Sequence, residues 1–287
     1  MTWLLLELCR WLAYLPYPLL RRIGDGAGSL LWIAAKPRRH ITLTNLRLCF
    51  PDQTPEQHEA TGRAHFQAYA RSFFDRFILW YQPAHAIERL VQLEGLNHFE
   101  PYRGKPVILL APHFVGIDAG GIRFQIESSF AAMYAKQNNP ALNAVMTRGR
   151  SRFNNAQMLL RNDGIRPAVR LIKEGTPFYF LPDMDLGERD AVFSPFFNIP
   201  AATVTSVARL AKATGAVIIP IVTQMTNTGY IARVLPAWAD YPLDDNPAAA
   251  LYMNRFIEAQ VLAMPEQYLW SHRRFKTRPQ GEAGFYE

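Results

Sequence analysis

Three short, unbroken apolar runs do most to limit what this chain can become: Val107-Ile-Leu-Leu-Ala111, Phe178-Tyr-Phe-Leu181 and Val217-Ile-Ile-Pro-Ile-Val222. A strand that is apolar at every position must be covered on both faces, as in a buried, mostly parallel sheet. Between these runs lie stretches of helical character around Pro140–Met146, Gln157–Leu160, Pro167–Glu174 and Val204–Thr214. The last of them ends at Lys212-Ala-Thr-Gly215, a glycine placed where a helix stops. Such alternation predicts an α/β fold, a central mostly parallel sheet covered by helices. Active sites in sheets of this kind sit at the carboxyl ends of the strands.

A long helical pattern precedes the sheet, from Thr54 to Arg89. Thr54-Pro55-Glu56-Gln57 is a helix start, with proline in the first turn and glutamine at the capping-box position. Phe66, Tyr69, Phe73, Phe74, Phe77, Trp80 and Tyr81 then recur at spacings of three and four, the mark of a core-facing stripe.

The amino-terminal 35 residues are apolar but interrupted. Glu7, Arg10 and Tyr14 share one helical face, and Pro16 and Pro18 break the run. The uncharged stretches Trp11–Leu20 and Gly26–Ala35 are each shorter than the roughly 20 residues of a straight spanning helix. Residues 1–35 therefore read as membrane-associated helices lying in the interface or as a tilted anchor. Gly24-Asp-Gly26-Ala-Gly28-Ser29 is expected to be a bend between two of them. Lys36-Pro-Arg-Arg39 would hold residues 36–287 on the cytoplasmic side. No basic region precedes the apolar stretch, so a cleaved signal is not expected.

The net charge of +7 is concentrated in that amino-terminal region and in His272-Arg-Arg-Phe-Lys-Thr-Arg278. Clusters like these favour an anionic partner, whether membrane surface, nucleic acid or acidic protein. The interleaved aromatics of Trp270–Pro279 suit headgroups and nucleic acid alike. The two cysteines, Cys9 and Cys49, are too few for a disulfide framework and fit a reducing compartment.

The residues able to carry chemistry gather at strand ends. Val107–Ala111 runs into Pro112-His113, and Asp118 closes the stretch His113-Phe-Val-Gly-Ile-Asp118. Gly116 would let the backbone turn, placing Asp118 in the first turn of the next helix, where the dipole favours a carboxylate. An acid on one imidazole nitrogen leaves the other as a general base for a hydroxyl. The bare spacing arises easily in a chain with 7 histidines and 24 acidic residues; its position at a strand end gives it meaning.

Arg148-Gly-Arg150-Ser-Arg152 in isolation reads as an exposed basic turn. Asp183 and Asp185, two apart after the second apolar run, could orient a sugar or contribute to a metal site, but further ligands are missing, so no metal is expected. No Gly-x-Ser-x-Gly elbow or phosphate-binding loop is present. Direct attack by an acceptor hydroxyl is therefore simpler than a covalent acyl-enzyme.

Taken together, these residues resemble the lipid A biosynthesis acyltransferases of Gram-negative bacteria, the late lauroyl and myristoyl transferases. The likeness runs through Lys36-Pro-Arg-Arg39, Asn45-Leu46, Cys49-Phe50 and Pro112-His-Phe114 with Asp118. It continues through Gly149-Arg150 with Arg152, Leu181-Pro-Asp183-Met-Asp185-Leu-Gly187, Pro195-Phe-Phe197 and Ala202-Thr-Val-Thr205. It ends with Met253-Asn-Arg-Phe256, Pro265-Glu-Gln-Tyr268 and Trp270–Pro279.

The resemblance implies a fatty acyl chain taken from acyl carrier protein, with no other cofactor, and esterified to a hydroxyl of the Kdo-bearing lipid A precursor. It implies an inner-membrane location at the cytoplasmic face and inner-membrane lipids as partners, with nucleic acid not expected. The family's catalytic pair falls on His113 and Asp118, and its arginine on Arg150 with Arg148 and Arg152 as neighbours. Its Asp-Gln-Asp segment falls on Asp183 and Asp185, with Met184 in place of glutamine. Arg150 would then stabilise the thioester oxyanion or bind phosphate. The competing readings are an acyltransferase for another glycolipid or a lysophospholipid, and a non-catalytic binder of anionic membranes.

Overall fold

A computed structural model describes residues 10–287. Glu7 and Cys9 lie outside the described residues, as does the first part of the expected membrane-associated segment.

Helix α1 (Tyr17–Ala34) is continuous through the glycines, so the expected bend at Gly24–Ser29 is not there. A β-carbon at Gly24 would stand 2.7 Å from the Arg71 Cα, and one at Gly28 would overlap the Gln67 backbone. These glycines let α1 lie directly on the backbone of a second helix, and that packing replaces the turn. Helix α2 (Lys36–Cys49) follows at once, then the long α3 (Pro55–Tyr81). Thr54 and Gln57 complete the capping box that opens α3: the Gln57 N–H donates to the Thr54 hydroxyl, and the Thr54 N–H to the Gln57 amide oxygen. Pro83 ends the helical stretch, and α4 (Ala84–Leu90) restarts beyond it.

The sheet has seven strands: β1 (Val91–Glu94), β2 (Val107–Leu110), β3 (Ala131–Tyr134), β4 (Gln157–Leu160), β5 (Phe178–Phe180), β8 (Val217–Met225) and β9 (Tyr230–Val234). Its order is β1-β9-β8-β2-β5-β3-β4, and only the β8–β9 pair is antiparallel. The expected mostly parallel sheet is thus present. One expected element differs: Gln157–Leu160 is a strand, not a helix. It lies at the sheet edge, paired only to β3, and four half-apolar residues carry too little periodicity to tell the two apart.

Strand β2 shows why the core must be two-sided. Ile108 and Leu110 pack in one apolar cluster, with Phe178, Ile218 and residues of α7 (Arg166–Lys173) and α8 (Ser206–Thr214). Val107 and Leu109 pack in another, with Phe124 of α5 (Ile117–Glu127), Tyr179 and Ile219. Helix α6 (Pro140–Arg150), the hairpin β6 (Ala191–Phe196)–β7 (Ile199–Val204) and α9 (Asn246–Ala263) complete the fold.

Among the described residues, no helix is long and apolar enough to cross a membrane. Helix α1 nevertheless exposes Leu19, Ile23, Leu30, Leu31 and Ile33, while Leu20 and Trp32 are buried. Exposed apolar side chains gathered along one helix suit contact with a membrane or a partner.

Candidate active site

Strands β2 and β5 are parallel neighbours, and each runs into a proline: Leu110-Ala-Pro112 and Phe180-Leu-Pro182. Their exits bring His113 and Asp183 together. The His113 Nδ1 lies 2.7 Å from the Asp183 Oδ1, and the His113 backbone N–H donates to the same carboxylate at 3.0 and 3.2 Å. Asp183 is almost fully buried. Burial pushes its carboxyl up, but the His113 ring, its backbone N–H and Arg274 outweigh this and hold it below the usual carboxylate range. An ionised Asp183 accepts the Nδ1 proton and leaves Nε2 of the neutral ring with its lone pair.

This corrects the expected pairing: the carboxylate on the His113 ring is Asp183, not Asp118. Asp118 does sit in the first turn of α5, as its spacing predicts. There it receives the Arg150 guanidinium in a two-pronged contact at 3.0 and 3.1 Å, and Arg76 Nε at 2.6 Å. Two guanidiniums give a carboxylate stronger, charge-assisted bonds than one neutral imidazole can. Burial raises the Asp118 carboxyl, and Arg150 and Arg76 together pull it far below the ordinary range. Two cations against one anion leave a net positive charge at this spot.

Close packing sets these groups in place. Gly116 has ordinary backbone angles, so turning is not why glycine is needed; a β-carbon there would meet the Thr223 Cγ2 at 2.9 Å. One at Gly120 would overlap the Thr223 hydroxyl. Glycine at both positions lowers α5 onto β8. Gly149 lies against the Trp80 ring, which leaves no room for a β-carbon; this seats α6 on α3 and aims Arg150 at Asp118. The Gln125 amide holds the Arg150 carbonyl.

The neighbouring residues have other tasks. Arg152 donates to the carbonyls of Leu79 and Gln82 at the end of α3, capping that helix. Arg148 is exposed. Asp185, expected beside the substrate, instead accepts the Thr277 N–H and hydroxyl, both at 2.7 Å, while its own N–H donates to His272. It anchors the carboxyl-terminal tail.

That tail is a buried strap and not the basic docking surface that its composition suggests. Trp270, Arg274 and Phe275 are almost inaccessible, and Arg274 donates to the Ala202 carbonyl and the Thr203 hydroxyl. Only Arg273 and Lys276 of the basic run are exposed. The strap also grips the His113 loop: the Leu269 N–H donates to the His113 carbonyl, and the Val115 N–H to the Gln267 carbonyl.

A cavity of about 330 Å³ opens at this point. His113, Asp118, Arg76 and Arg150 lie on its walls, and it continues past Gly121, Ile122 and Gln125 of α5 over Phe130, Ala132, Met158 and Tyr179. From Asp118 to Gln125 the helix advances roughly 10 Å. A polar, cationic end and a mostly apolar body suit a fatty chain with a reactive carbonyl at its head. Among the described residues, no group of three or more His, Cys, Asp or Glu is placed to hold a metal ion. Sequence reasoning missed Arg76; its signal was a charged Asp75-Arg76 pair inside an otherwise aromatic stripe.

Comparison with known proteins gives a consistent picture. The model of the bacterial lipid A biosynthesis acyltransferase family matches residues 1–277. A lipid A biosynthesis palmitoleoyltransferase of Escherichia coli is 34% identical over 291 residues, covering 100% of this chain and 94% of the relative. A lauroyltransferase of the same organism is 32% identical over the same coverage. A myristoyltransferase is 31% identical over 94% of this chain and 84% of its own.

Proposed function

Because the chain belongs to the bacterial lipid A biosynthesis acyltransferases, and so is an acyltransferase enzyme, we propose that it transfers a fatty acyl chain from acyl carrier protein to a hydroxyl of the Kdo-bearing lipid A precursor. The observation that carries this reading is the His113–Asp183 pair beside a guanidinium-lined mouth of an apolar cavity.

In this reading the donor's acyl chain lies in the cavity with its thioester carbonyl at the mouth. His113 Nε2 takes the proton of the acceptor hydroxyl as its oxygen attacks that carbonyl. Asp183 holds the ring and steadies the imidazolium that forms. Negative charge gathers on the carbonyl oxygen beside Arg150 and Arg76, whose positions are already fixed by Asp118. Collapse of this intermediate breaks the carbon–sulfur bond, and the leaving thiolate takes the proton from His113. Asp118 is thus a positioning residue, acting through the two arginines.

Residues 1–35 would hold the enzyme against the inner membrane at its cytoplasmic face, through the apolar side chains that α1 exposes. Residues 36–287 would carry the chemistry. Acidic acyl carrier protein and the anionic acceptor both suit the basic surface.

The test is an assay of purified protein with acyl carrier protein thioesters and Kdo-lipid A precursor. One acyl chain added to the precursor, read by mass spectrometry and abolished in His113→Ala, is the expected result. Transfer that proceeds undiminished in His113→Ala would sink the mechanism.

A further inference from the structure

A second cavity, of about 350 Å³, adjoins the first, and Tyr69 and Leu269 line both. Its own walls include Leu31 and Ala35 at the end of α1, together with Phe66 and Met184. The chemistry assigned above does not use it.

Three features describe an occupant. Leu31 reaches from this wall to the apolar face that α1 exposes with Leu30 and Ile33, so a chain leaving a bilayer could enter without crossing water. Arg38, exposed on the same cavity, offers a cation to an anionic head; its Nη1 also donates to the Ser271 carbonyl. His65, on the inner wall, is completely buried, and its Nδ1 lies 3.2 Å from the Glu266 carbonyl. Its Nε2 has no hydrogen-bond partner among the described residues. Burial drives the ring's pKa down to about 4, so the ring is neutral and Nε2 keeps an unpartnered lone pair just beneath this wall.

We propose that the second cavity receives an acyl chain of the acceptor lipid, while the first holds the acyl chain being transferred. This rests on the transfer reading above. An amphiphile placed here has its head on Arg38, the polar shoulder of its chain beside His65, and its reacting hydroxyl brought past Tyr69 and Leu269 toward His113. The two chains then lie on opposite sides of a shared wall, so neither substrate need leave for the other to bind.

The experiment fills the second cavity with Leu31→Trp and, separately, Ala35→Trp, then varies Kdo-lipid A precursor and acyl carrier protein thioester independently. The expected result is a rise of about tenfold or more in KM for the precursor, with KM for the thioester unchanged. Leu31 is 42% exposed, so tryptophan there can be accommodated; an unchanged melting temperature checks this. If Ala35→Trp does not fold, Leu31→Trp alone decides. An unmoved KM for the precursor, or a parallel rise in both KM values, overturns the assignment. A wild-type enzyme that acylates no lipid at all overturns the transfer reading instead.

Discussion

Asp183 grips His113 twice, through the ring Nδ1 at 2.7 Å and through the backbone N–H. One carboxylate therefore fixes both the position of the loop and the tautomer of the His113 ring. Asp183→Asn keeps the shape but can no longer favour the productive tautomer. We expect kcat to fall by about 10²–10⁴-fold with KM values nearly unchanged. A variant with wild-type kcat would show that the pair is structural only.

Asp118 makes a different prediction. Asp118→Asn leaves Arg76 and Arg150 facing each other without their counter-ion, both partly buried. Stability should drop by roughly 3 kcal/mol. The wild-type contribution is that of a depressed carboxyl, so it is complete above the ordinary value near 3.8 and is lost as pH falls below it. Urea unfolding of both proteins should therefore diverge at neutral pH and converge in acid.

Asp75 behaves in the opposite sense. It is fully buried in α3, accepts from the Tyr230 hydroxyl at 2.5 Å, and has its pKa raised to about 6, burial outweighing Tyr230, Arg71 and Tyr17. The folded state holds this proton more tightly than the unfolded chain does. The resulting stabilisation is present below about pH 4 and disappears as pH rises through 6. Between pH 5 and 7.5 the wild type should lose about 1 kcal/mol relative to Asp75→Asn. Parallel pH profiles would contradict this.

Gly121 limits the first cavity. A β-carbon there would rest 3.5 Å from Tyr179 and 3.6 Å from Phe130, in ordinary contact, and a longer side chain would extend into the cavity that Gly121 lines. Gly121→Leu should shorten the accepted chain, lowering kcat/KM for the longest wild-type donor by about tenfold or more while sparing short ones. A panel of acyl carrier protein thioesters reads this directly.

Much of the molecule was legible because local pattern dictated it. Unbroken apolar runs require two covered faces, and β2 does send alternate residues into two cores. The placement of Asp118 in the first turn of α5 followed from its spacing. The partner of His113 was hidden because it lies 70 residues away, and only the adjacency of β2 and β5 brings it near. Arg76 was hidden for a similar reason, one cation in an aromatic stripe whose direction depends on how α3 crosses α5. The tail misled because composition records charge but not burial: Arg274 is a core residue with carbonyl and hydroxyl partners.

The strap across the His113 loop also bears on the order in which the fold is completed. Leu269, Gln267 and Thr277 tie down His113, Val115 and Asp185, so the His113 loop has its final surroundings only once residues 267–277 have been made. During synthesis at about 5–20 residues per second, His113 would emerge many seconds before the segment that secures it. The segment that secures His113 is thus synthesised long after β2 and β5, the strands that present it.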